Sequence, residues 1–345
     1  MKYDAILITS FGGPERPEEV TPFLENVLRG KNVPRERMLE VAENYYQFGG
    51  KSPINDQNRR LIEALDRELS EHGPRLPIYW GNRNWHPMLA ETLRRMKADG
   101  IRRALAFVTS AYSSYSSCRQ YREDIARAQA EVGDGAPVVD KIRAFHNHPG
   151  FIEATADRVR RALEQFPKGQ RTSAHLIYTA HSIPIAMAES CDYEKQLRET
   201  AKLVTEDLRR SADLERNDWR LVYQSRSGPP SQPWLGPDIL AYLREHQVRG
   251  GDSSVLIAPI GFVSDHMEII FDLDTQAREL CAELGLQMVR AQTVGTHARF
   301  VTMIRELICE RIDELRPRLA LGDAPPRPDV CPTDCCPLPT RPSVS

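Results

Sequence analysis

The chain has 345 residues, of which 41% are hydrophobic and 27% charged, so it can bury a sizeable core in one large domain or two. Lysine and arginine number 46 against 48 aspartate and glutamate, and the net charge of -2 gives no electrostatic case for a nucleic-acid partner. The N-terminal apolar run is too short for a signal sequence, and no segment approaches the roughly 18 apolar residues of a spanning helix. We therefore expect a cytoplasmic globular protein without an integral membrane segment, whose seven cysteines are thiols or metal ligands rather than disulfides.

Short apolar runs alternate with longer amphipathic stretches, which is the pattern of a parallel sheet flanked by helices. The first part has predicted strands at YDAILITSF, LPIYWGN and RRALAFVTSAY, with helices from about residue 17, around 87–98 and around 117–131. The second part has predicted strands at SAHLIYTAHS, WRLVYQSRS and SSVLIAPIGF, with helices around 192–211, 236–246 and 272–284. The sequence thus predicts an α/β fold of two Rossmann-like, doubly wound halves.

The C-terminal part contains one more strand pattern, LQMVRAQTV, and a helical pattern, THARFVTMIRELICERIDEL, which we expect to close the fold against the first half. The predicted organisation is a first half of residues 1–117 with 290–320, a second half of 118–289, and an extended tail of 321–345. Proline and polar residues dominate the tail, a composition that forms neither helix nor strand and is typical of disorder.

Polar segments follow each predicted strand, and ligands of open α/β sheets bind at these carboxyl ends. His181, in TAHSIP, comes directly after a strand. A strand-end histidine can simply complete a hydrogen-bond network, but Pro184 ends the strand and favours an imidazole aimed out of the sheet. The FGG after the first strand lacks the further glycine of a dinucleotide-binding loop, so no such cofactor is indicated.

The segment GFVSDHMEIIFDLD is dense in carboxylates. A helix beginning near Ser264 would place Glu268 and Asp272 on one face, with Asp265 one turn earlier. Asp265 alone fits an acid at a helix N-terminus, whereas Glu268 has apolar neighbours and needs a partner. Together, His181 and Glu268 suit proton abstraction or transient metal binding, and the HExxH and GxSxG motifs of zinc and serine hydrolases are missing.

At these residues the chain resembles the ferrochelatases, which insert Fe(II) into a porphyrin during haem synthesis. The shared motifs, in the family's order, are ILITSFGGP, YYQFGGKSPIN, TAHSIP, SRSGPPSQPWLGPD and GFVSDHMEIIFDLD. The resemblance implies a lyase with a porphyrin cleft between the two halves, Fe(II) as a substrate and no organic cofactor. It also implies that His181 and Glu268 hold the iron and take the pyrrole protons, with the division of roles open. Asp272 would be a further carboxylate of a proton or metal path, or simply a solvated helix residue.

The resemblance further implies which residues contact the porphyrin. Phe11 stands where one branch of the family has a tyrosine, and its ring can pack on the macrocycle but cannot coordinate iron. Positions matching propionate contacts or the pocket lining are Arg29, Ser52, Tyr45, Tyr46 and Tyr121.

The predicted lip of the cleft, residues 22–52, is strongly charged and lacks the continuous apolar patch of a membrane-docking surface. Its arginines suit a tetracarboxylate, so we prefer coproporphyrin III to protoporphyrin IX as the substrate. A solvated helix face would also explain these charges.

The tail contributes Cys331, Cys335 and Cys336, and a [2Fe–2S] cluster commonly takes four cysteines. In similar ferrochelatases with a cluster, the fourth ligand comes from the loop that matches Cys118, and Cys191 is the second choice. A zinc site or free thiols are the alternatives for the tail.

Two other functions remain open at this point. A cobalt or nickel chelatase of the same superfamily would use the same two halves, and a non-catalytic haem-binding or iron–sulfur protein would bind without turnover. As an enzyme of haem synthesis, the protein is also expected to make transient contacts with neighbouring enzymes of the pathway.

Overall fold

The computed structural model describes residues 2–31, 33–211, 218–229 and 231–338, and this part contains two parallel four-stranded sheets. The first sheet has the order β2-β1-β3-β4, formed by β1 (Ala5–Ser10), β2 (Ile78–Asn82), β3 (Arg103–Val108) and β4 (Val138–Lys141). The second sheet has the order β6-β5-β7-β8, formed by β5 (His175–His181), β6 (Trp219–Gln224), β7 (Ser254–Ala258) and β8 (Gln287–Arg290). The matching strand orders confirm the predicted α/β fold of two doubly wound halves.

Helices flank both sheets. Those around the first sheet are α1 (Pro17–Leu28), α2 (Arg35–Tyr46), α3 (Ile54–His72), α4 (Leu89–Ala98) and a π-helical turn (Tyr115–Arg119) that continues as α5 (Gln120–Val132). Those that follow are α6 (Pro149–Leu163), a 3₁₀ turn (Lys168–Gln170), α7 (Ile185–Glu189), α8 (Tyr193–Arg210), α9 (Ile239–Val248), α10 (Met267–Ile269), a π-helix (Ile270–Ala277), α11 (Arg278–Glu283) and α12 (Ala298–Ile312). Within the described residues, none of the helices combines the length and apolarity needed to cross a membrane.

Strand β1 shows why the sheets form. All six of its residues are buried, as expected for a central parallel strand covered on both faces. Ile6 and Ile8 pack in the core beside α3, whereas Ala5 and Leu7 pack on the opposite face beside α4. That first core also contains Leu176 and Tyr178 of β5, so the two halves share one apolar interior.

The predicted boundary between the halves is wrong. β4 pairs with β3, with Arg103 opposite Val138, so the first sheet extends through residue 141 rather than ending at 117. This edge strand has only four residues, VVDK, and none of them is fully buried. Such a strand carries little of the apolar signal by which strands are recognised in a sequence. The last helix, α12, packs against α3 of the first half as well as α6.

The tail has neither helix nor strand in its described part, and residues 339–345 lie outside the described residues. The chain where the tail begins, around residues 319–321, is nevertheless hydrogen-bonded to the rest of the protein. Arg143 donates from Nη2 to the Leu319 carbonyl at 2.8 Å, and the Leu321 amide donates to the Asn147 carbonyl at 2.8 Å. Further along, Arg327 pairs with Asp192 at 2.7 Å. The described tail therefore runs along the body rather than away from it.

A buried histidine lies beneath this region. His148 caps α6, with Nδ1 accepting from the Gly150 amide at 3.1 Å, and its side chain is 0% exposed. Its Nε2 has no hydrogen-bond partner and lies 3.7 Å from a Glu306 oxygen and 3.9 Å from a Glu310 oxygen. Burial, together with the charges of Arg143 and Arg299, lowers the pKa of His148 to about 3.

This histidine is expected to make folding sensitive to acid. Between the unfolded pKa of about 6.5 and the folded pKa of about 3, only the unfolded chain binds the proton, so the free energy of unfolding falls as the pH falls. In His148→Asn, which keeps a capping oxygen, the slope between pH 6 and pH 4 should decrease by about 1.4 kcal/mol per pH unit. Denaturant titrations of both proteins at several pH values measure this slope of the free energy of unfolding against pH. If His148→Asn instead lowered the free energy of unfolding by the same amount at every pH, the change would be a packing defect. That result would contradict the prediction.

Candidate functional site

His181 and Glu268 meet at the carboxyl edge of the second sheet. His181 is the last residue of β5, and Glu268 lies in α10, shortly after the neighbouring strand β7. The Nε2 atom of His181 is 3.6 Å from Oε1 of Glu268. The two side chains are 30% and 47% exposed, so the pair is accessible from solvent.

The local structure fixes which nitrogen of His181 faces Glu268. Nδ1 hydrogen-bonds to the carbonyl of Ser182, so it carries a proton and Nε2 is left for a partner. Behind the ring, the Tyr193 hydroxyl donates to the His181 carbonyl at 3.1 Å. The imidazole is thus held by the chain immediately around it and directs Nε2 toward Glu268.

The two side chains stabilise each other's charged forms. Burial acts to lower the pKa of His181, but the interactions with Glu268, the Ser182 carbonyl and the charge of Asp272 together outweigh burial, and the pKa is raised. Burial acts to raise the pKa of Glu268, but the interactions with His181 and the charge of His266 together outweigh it and lower the pKa to about 2. Since Glu268 is 47% exposed, solvent screens part of this attraction. The pair is therefore best treated as one coupled unit.

Asp272 extends this pair. Gln224 donates from Nε2 to Oδ2 of Asp272 at 3.4 Å and to the Glu268 carbonyl at 3.2 Å, and the Ser225 hydroxyl also donates to Asp272. Burial raises the pKa of Asp272 to about 6, and the charge of Glu268 contributes. A carboxyl group that titrates near neutrality thus lies next to the pair.

The predicted helix start near Ser264 is wrong. α10 begins at Met267, with His266 in an extended conformation at its N-cap, and it changes to a π-helix at Ile270. Asp265 is consequently not part of the carboxylate ladder. It accepts from Arg290 and Thr293 instead, which the local sequence pattern gave no means of foreseeing.

Gln224, Ser225 and Tyr193 were missed by sequence reasoning. Gln224 is the last residue of β6 and Ser225 follows it, so both could have been found by the strand-end argument that identified His181. Tyr193 opens α8, and its contact with the His181 carbonyl depends on how that helix packs.

Three aromatic residues of the first half, Phe11, Phe23 and Tyr45, form a cluster that we call the aromatic wall. Phe11 follows β1 and is 38% exposed; its ring lies 6.3 Å from Phe23, which lies 5.9 Å from Tyr45. Burial raises the pKa of Tyr45, and the charge of Glu268 raises it further. The Tyr45 phenol is therefore within electrostatic reach of Glu268, so a residue of the predicted lip lies near the polar pair.

The remaining predicted porphyrin contacts differ in exposure. Arg29 is exposed at the end of α1, and Tyr46 is 39% exposed with its hydroxyl 3.2 Å from Thr21. Ser52 is 2% exposed and lies against Gly13. Tyr121 is 5% exposed beneath the guanidinium of Arg83, which lies 3.7 Å from the ring centre.

The cysteines of the tail lie near those of the body. Burial raises the pKa of Cys331, and the thiols of Cys118 and Cys335 add to the shift. Burial raises the pKa of Cys336 to about 12, with contributions from Cys335, Cys118 and Cys191. These thiols are therefore mutual neighbours, although no three His, Cys, Asp or Glu side chains of the described residues are placed to hold a single metal ion.

Two arginines hold this part of the tail. Arg119 donates to the Cys335 carbonyl at 3.2 Å, and Arg122 donates to the carbonyls of Pro332 and Thr333, each at 3.2 Å. Both arginines adjoin Cys118 in the chain, so the loop of Cys118 and the tail are fastened together.

Comparison with known proteins is consistent across sequence and structure. A family model described as ferrochelatase matches residues 3–312. The ferrochelatase of Rhodopirellula baltica is 57% identical over 344 residues, covering 99% of this chain and 96% of that protein. The coproporphyrin III ferrochelatase of Streptomyces coelicolor is 48% identical over 352 residues, covering 97% of this chain and 93% of that protein.

Solved structures add support for the fold. SirB from Bacillus subtilis with Fe3+ superposes with a TM-score of 0.54 at 11% identity, covering 89% of this chain and 96% of that one. The sirohydrochlorin chelatase SirB from Bacillus subtilis subspecies spizizenii, in complex with cobalt, gives a TM-score of 0.51 at 9% identity, covering 89% of this chain and 94% of that one. At such identities the likeness concerns the fold alone, which is of the chelatase type.

Proposed function

The chain belongs to the ferrochelatase family, and we propose that it is a lyase that inserts Fe(II) into coproporphyrin III with release of two protons. The observation that carries this proposal is the pairing of His181 Nε2 with Glu268 Oε1 at 3.6 Å, within electrostatic reach of Tyr45 in the aromatic wall. An imidazole and a carboxylate at this distance can share a metal ion or a proton between them.

The reaction requires both metal handling and proton removal. Fe(II) replaces two pyrrole N–H protons, so both the metal and acceptors for the protons must reach the nitrogens of the macrocycle. His181 and Glu268 supply a nitrogen and an oxygen ligand, and as a coupled pair they can take up a proton at either atom. Asp272, whose pKa is raised to about 6, suits the next acceptor on the way to solvent.

The wall of the first half suits the macrocycle itself. A porphyrin must be bent for its nitrogen lone pairs to face an incoming metal. Rigidly packed aromatic rings on one side supply a surface against which the macrocycle can be bent. Phe11 presents only a phenyl ring, which cannot ligate iron. Metal handling therefore falls to His181 and Glu268.

The charge of the lip favours the tetracarboxylate substrate. Arg29 is exposed, and the segment 22–52 carries many charged side chains. Guanidinium groups bind carboxylates in bidentate fashion, and coproporphyrin III has two more propionates than protoporphyrin IX. The relative from Streptomyces coelicolor is named for coproporphyrin III, which agrees with this choice.

We further propose that Cys118, Cys331, Cys335 and Cys336 hold a [2Fe–2S] cluster. Such a cluster distributes four thiolates over two irons, so its ligands need not converge on one point. Cys191 is a neighbour of Cys336, but its thiol hydrogen-bonds to the Met187 carbonyl at 3.1 Å, which favours Cys118 as the fourth ligand. When bound, the cluster would supply Fe–S bonds that link the tail to the loop of Cys118.

The first prediction concerns the substrate. Under anaerobic conditions with Fe(II), coproporphyrin III should be converted with a kcat/KM at least about tenfold above that of protoporphyrin IX, because charge-assisted contacts to two extra propionates exceed ~1.4 kcal/mol. Loss of the free-porphyrin spectrum measures turnover. If neither porphyrin is converted, the ferrochelatase activity is excluded. A faster reaction with Co(II) or Ni(II) than with Fe(II) would favour the alternative chelatases.

The second prediction concerns the polar pair. His181→Ala and Glu268→Gln should each lower kcat by about 10²-fold or more, since each removes a proton acceptor and a metal ligand. Porphyrin binding, followed by fluorescence quenching, should persist in both variants. Glu279→Gln, a change of an exposed carboxylate on α11, is the control and should leave kcat unchanged. Wild-type turnover in His181→Ala would contradict the role of His181, whereas porphyrin binding without turnover in the wild-type protein would support a non-catalytic binding protein.

The third prediction concerns the cluster. Protein purified without reductant should show the visible spectrum of a [2Fe–2S] centre and contain about two irons and two sulfides per chain. Cys336→Ser should lose both, whereas Cys281→Ser, a change in α11, should keep them. Loss in Cys118→Ser but not in Cys191→Ser would identify the fourth ligand. A preparation that stays colourless after anaerobic reconstitution would contradict the cluster.

A further inference from the structure

Arg290 bonds to carboxylates on both sides of the segment that carries Glu268. It is the last residue of β8, and its Nε and Nη2 donate to the two oxygens of Asp274 at 2.7 and 2.8 Å. Its Nη1 and Nη2 also donate to the two oxygens of Asp265 at 3.3 and 3.4 Å. One guanidinium therefore clamps residues 265 and 274, with Glu268 and Asp272 between them.

The clamp is itself supported from two directions. The Thr293 hydroxyl donates to Oδ1 of Asp265 at 3.0 Å, and the Asp265 amide donates to Oε1 of Gln57 at 2.8 Å. Gln57 belongs to α3 of the first half. The first turn of the catalytic segment is thus fixed to β8 and to the opposite half of the protein.

The clamped segment has a backbone that needs such support. It changes from α10 to a π-helix over Ile270–Ala277, and Asp274 lies inside the π-helix. π-helical turns are rare and occur frequently at functional sites. An unclamped segment could continue as a regular α-helix into α11, which would turn Asp272 relative to Glu268.

We infer that Arg290 is a positioning residue, which holds the π-helical segment in the register that places Glu268 beside His181 and Asp272 beside Gln224 and Ser225. The inference rests on the proposed function. Arg290, Asp265 and Asp274 are only 12%, 18% and 25% exposed, and removing the guanidinium would take from both carboxylates the one cation that they share. Arg278 also approaches Asp274, at 3.6 Å, but it is 55% exposed and does not reach Asp265 in the described contacts.

The experiment compares Arg290→Met with Arg290→Lys and with the control Arg278→Met, which removes a surface partner of the same Asp274. Arg290→Met should lower kcat by about tenfold or more and raise the KM for Fe(II), while the KM for the porphyrin changes by less than about twofold. Arg290→Lys should recover part of kcat, since a point charge can pair with one carboxylate but not clamp both. Arg278→Met should behave as wild type.

Hydrogen exchange gives a readout that does not depend on turnover. Amides of residues 266–277 should exchange faster in Arg290→Met than in wild type, whereas those of β5 and β7 should not. If Arg290→Met does not fold, Thr293→Val, which removes one bond to Asp265, should show the same pattern with a smaller amplitude.

Two results would overturn the inference: unchanged exchange over 266–277 in Arg290→Met, or a loss of kcat/KM that arises only from the KM for the porphyrin. An inactive wild-type protein with every metal and porphyrin would instead refute the proposed function, and the exchange experiment would still test the clamp.

Discussion

The contact between His181 and Glu268 depends on the pairing of two parallel strands. β5 and β7 are neighbours in the second sheet, so the side chains that follow their carboxyl ends emerge at the same edge. His181 is the last residue of β5, and the chain after β7 folds back through α10 to bring Glu268 within 3.6 Å. The apolar strands are thus responsible for a polar contact that lies beyond their ends.

Concentrating carboxylates at this edge has an electrostatic cost. Asp265, Glu268, Asp272 and Asp274 occur within ten residues, and like charges at such spacing repel each other. Each has its own partner: Arg290 for Asp265 and Asp274, His181 for Glu268, and two neutral donors for Asp272. Among the ion pairs of the described residues, only Asp272 of these four has no cationic partner, and burial, with the charge of Glu268, raises its pKa to about 6. The pattern of partners therefore determines which carboxylate can exchange protons near neutral pH.

The sequence was sufficient to predict the described strands other than β4, several helices and the pair of His181 and Glu268, because long apolar runs and strand-end polar residues are local signals. It gave no prediction for α2, α3, α6 or α7. It was not sufficient for β4, which is a short, partly exposed edge strand. It also misplaced the start of α10 and gave no indication of the π-helix, since both depend on contacts from Gln57, Arg290 and Thr293, which are distant in the chain. The tail shows the same limit: its prolines predict an extended chain, but its attachment depends on arginines and carboxylates elsewhere.

The two halves contribute different chemistry to the cleft. The first half supplies an aromatic wall that includes Phe11 and Tyr45, and the second supplies the imidazole and the carboxylates. A planar macrocycle between them would contact aromatic rings on one side and polar atoms on the other. The distance between the two surfaces must therefore stay constant. Direct bonds serve this purpose, because Tyr112 donates to the Ile260 carbonyl at 2.8 Å and Gln57 accepts from the Asp265 amide at 2.8 Å. Both bonds reach from the first half to the loop between β7 and α10. The loop that positions Glu268 is therefore also the place where the two halves are joined, and a change in the spacing of the halves would move the carboxylate directly.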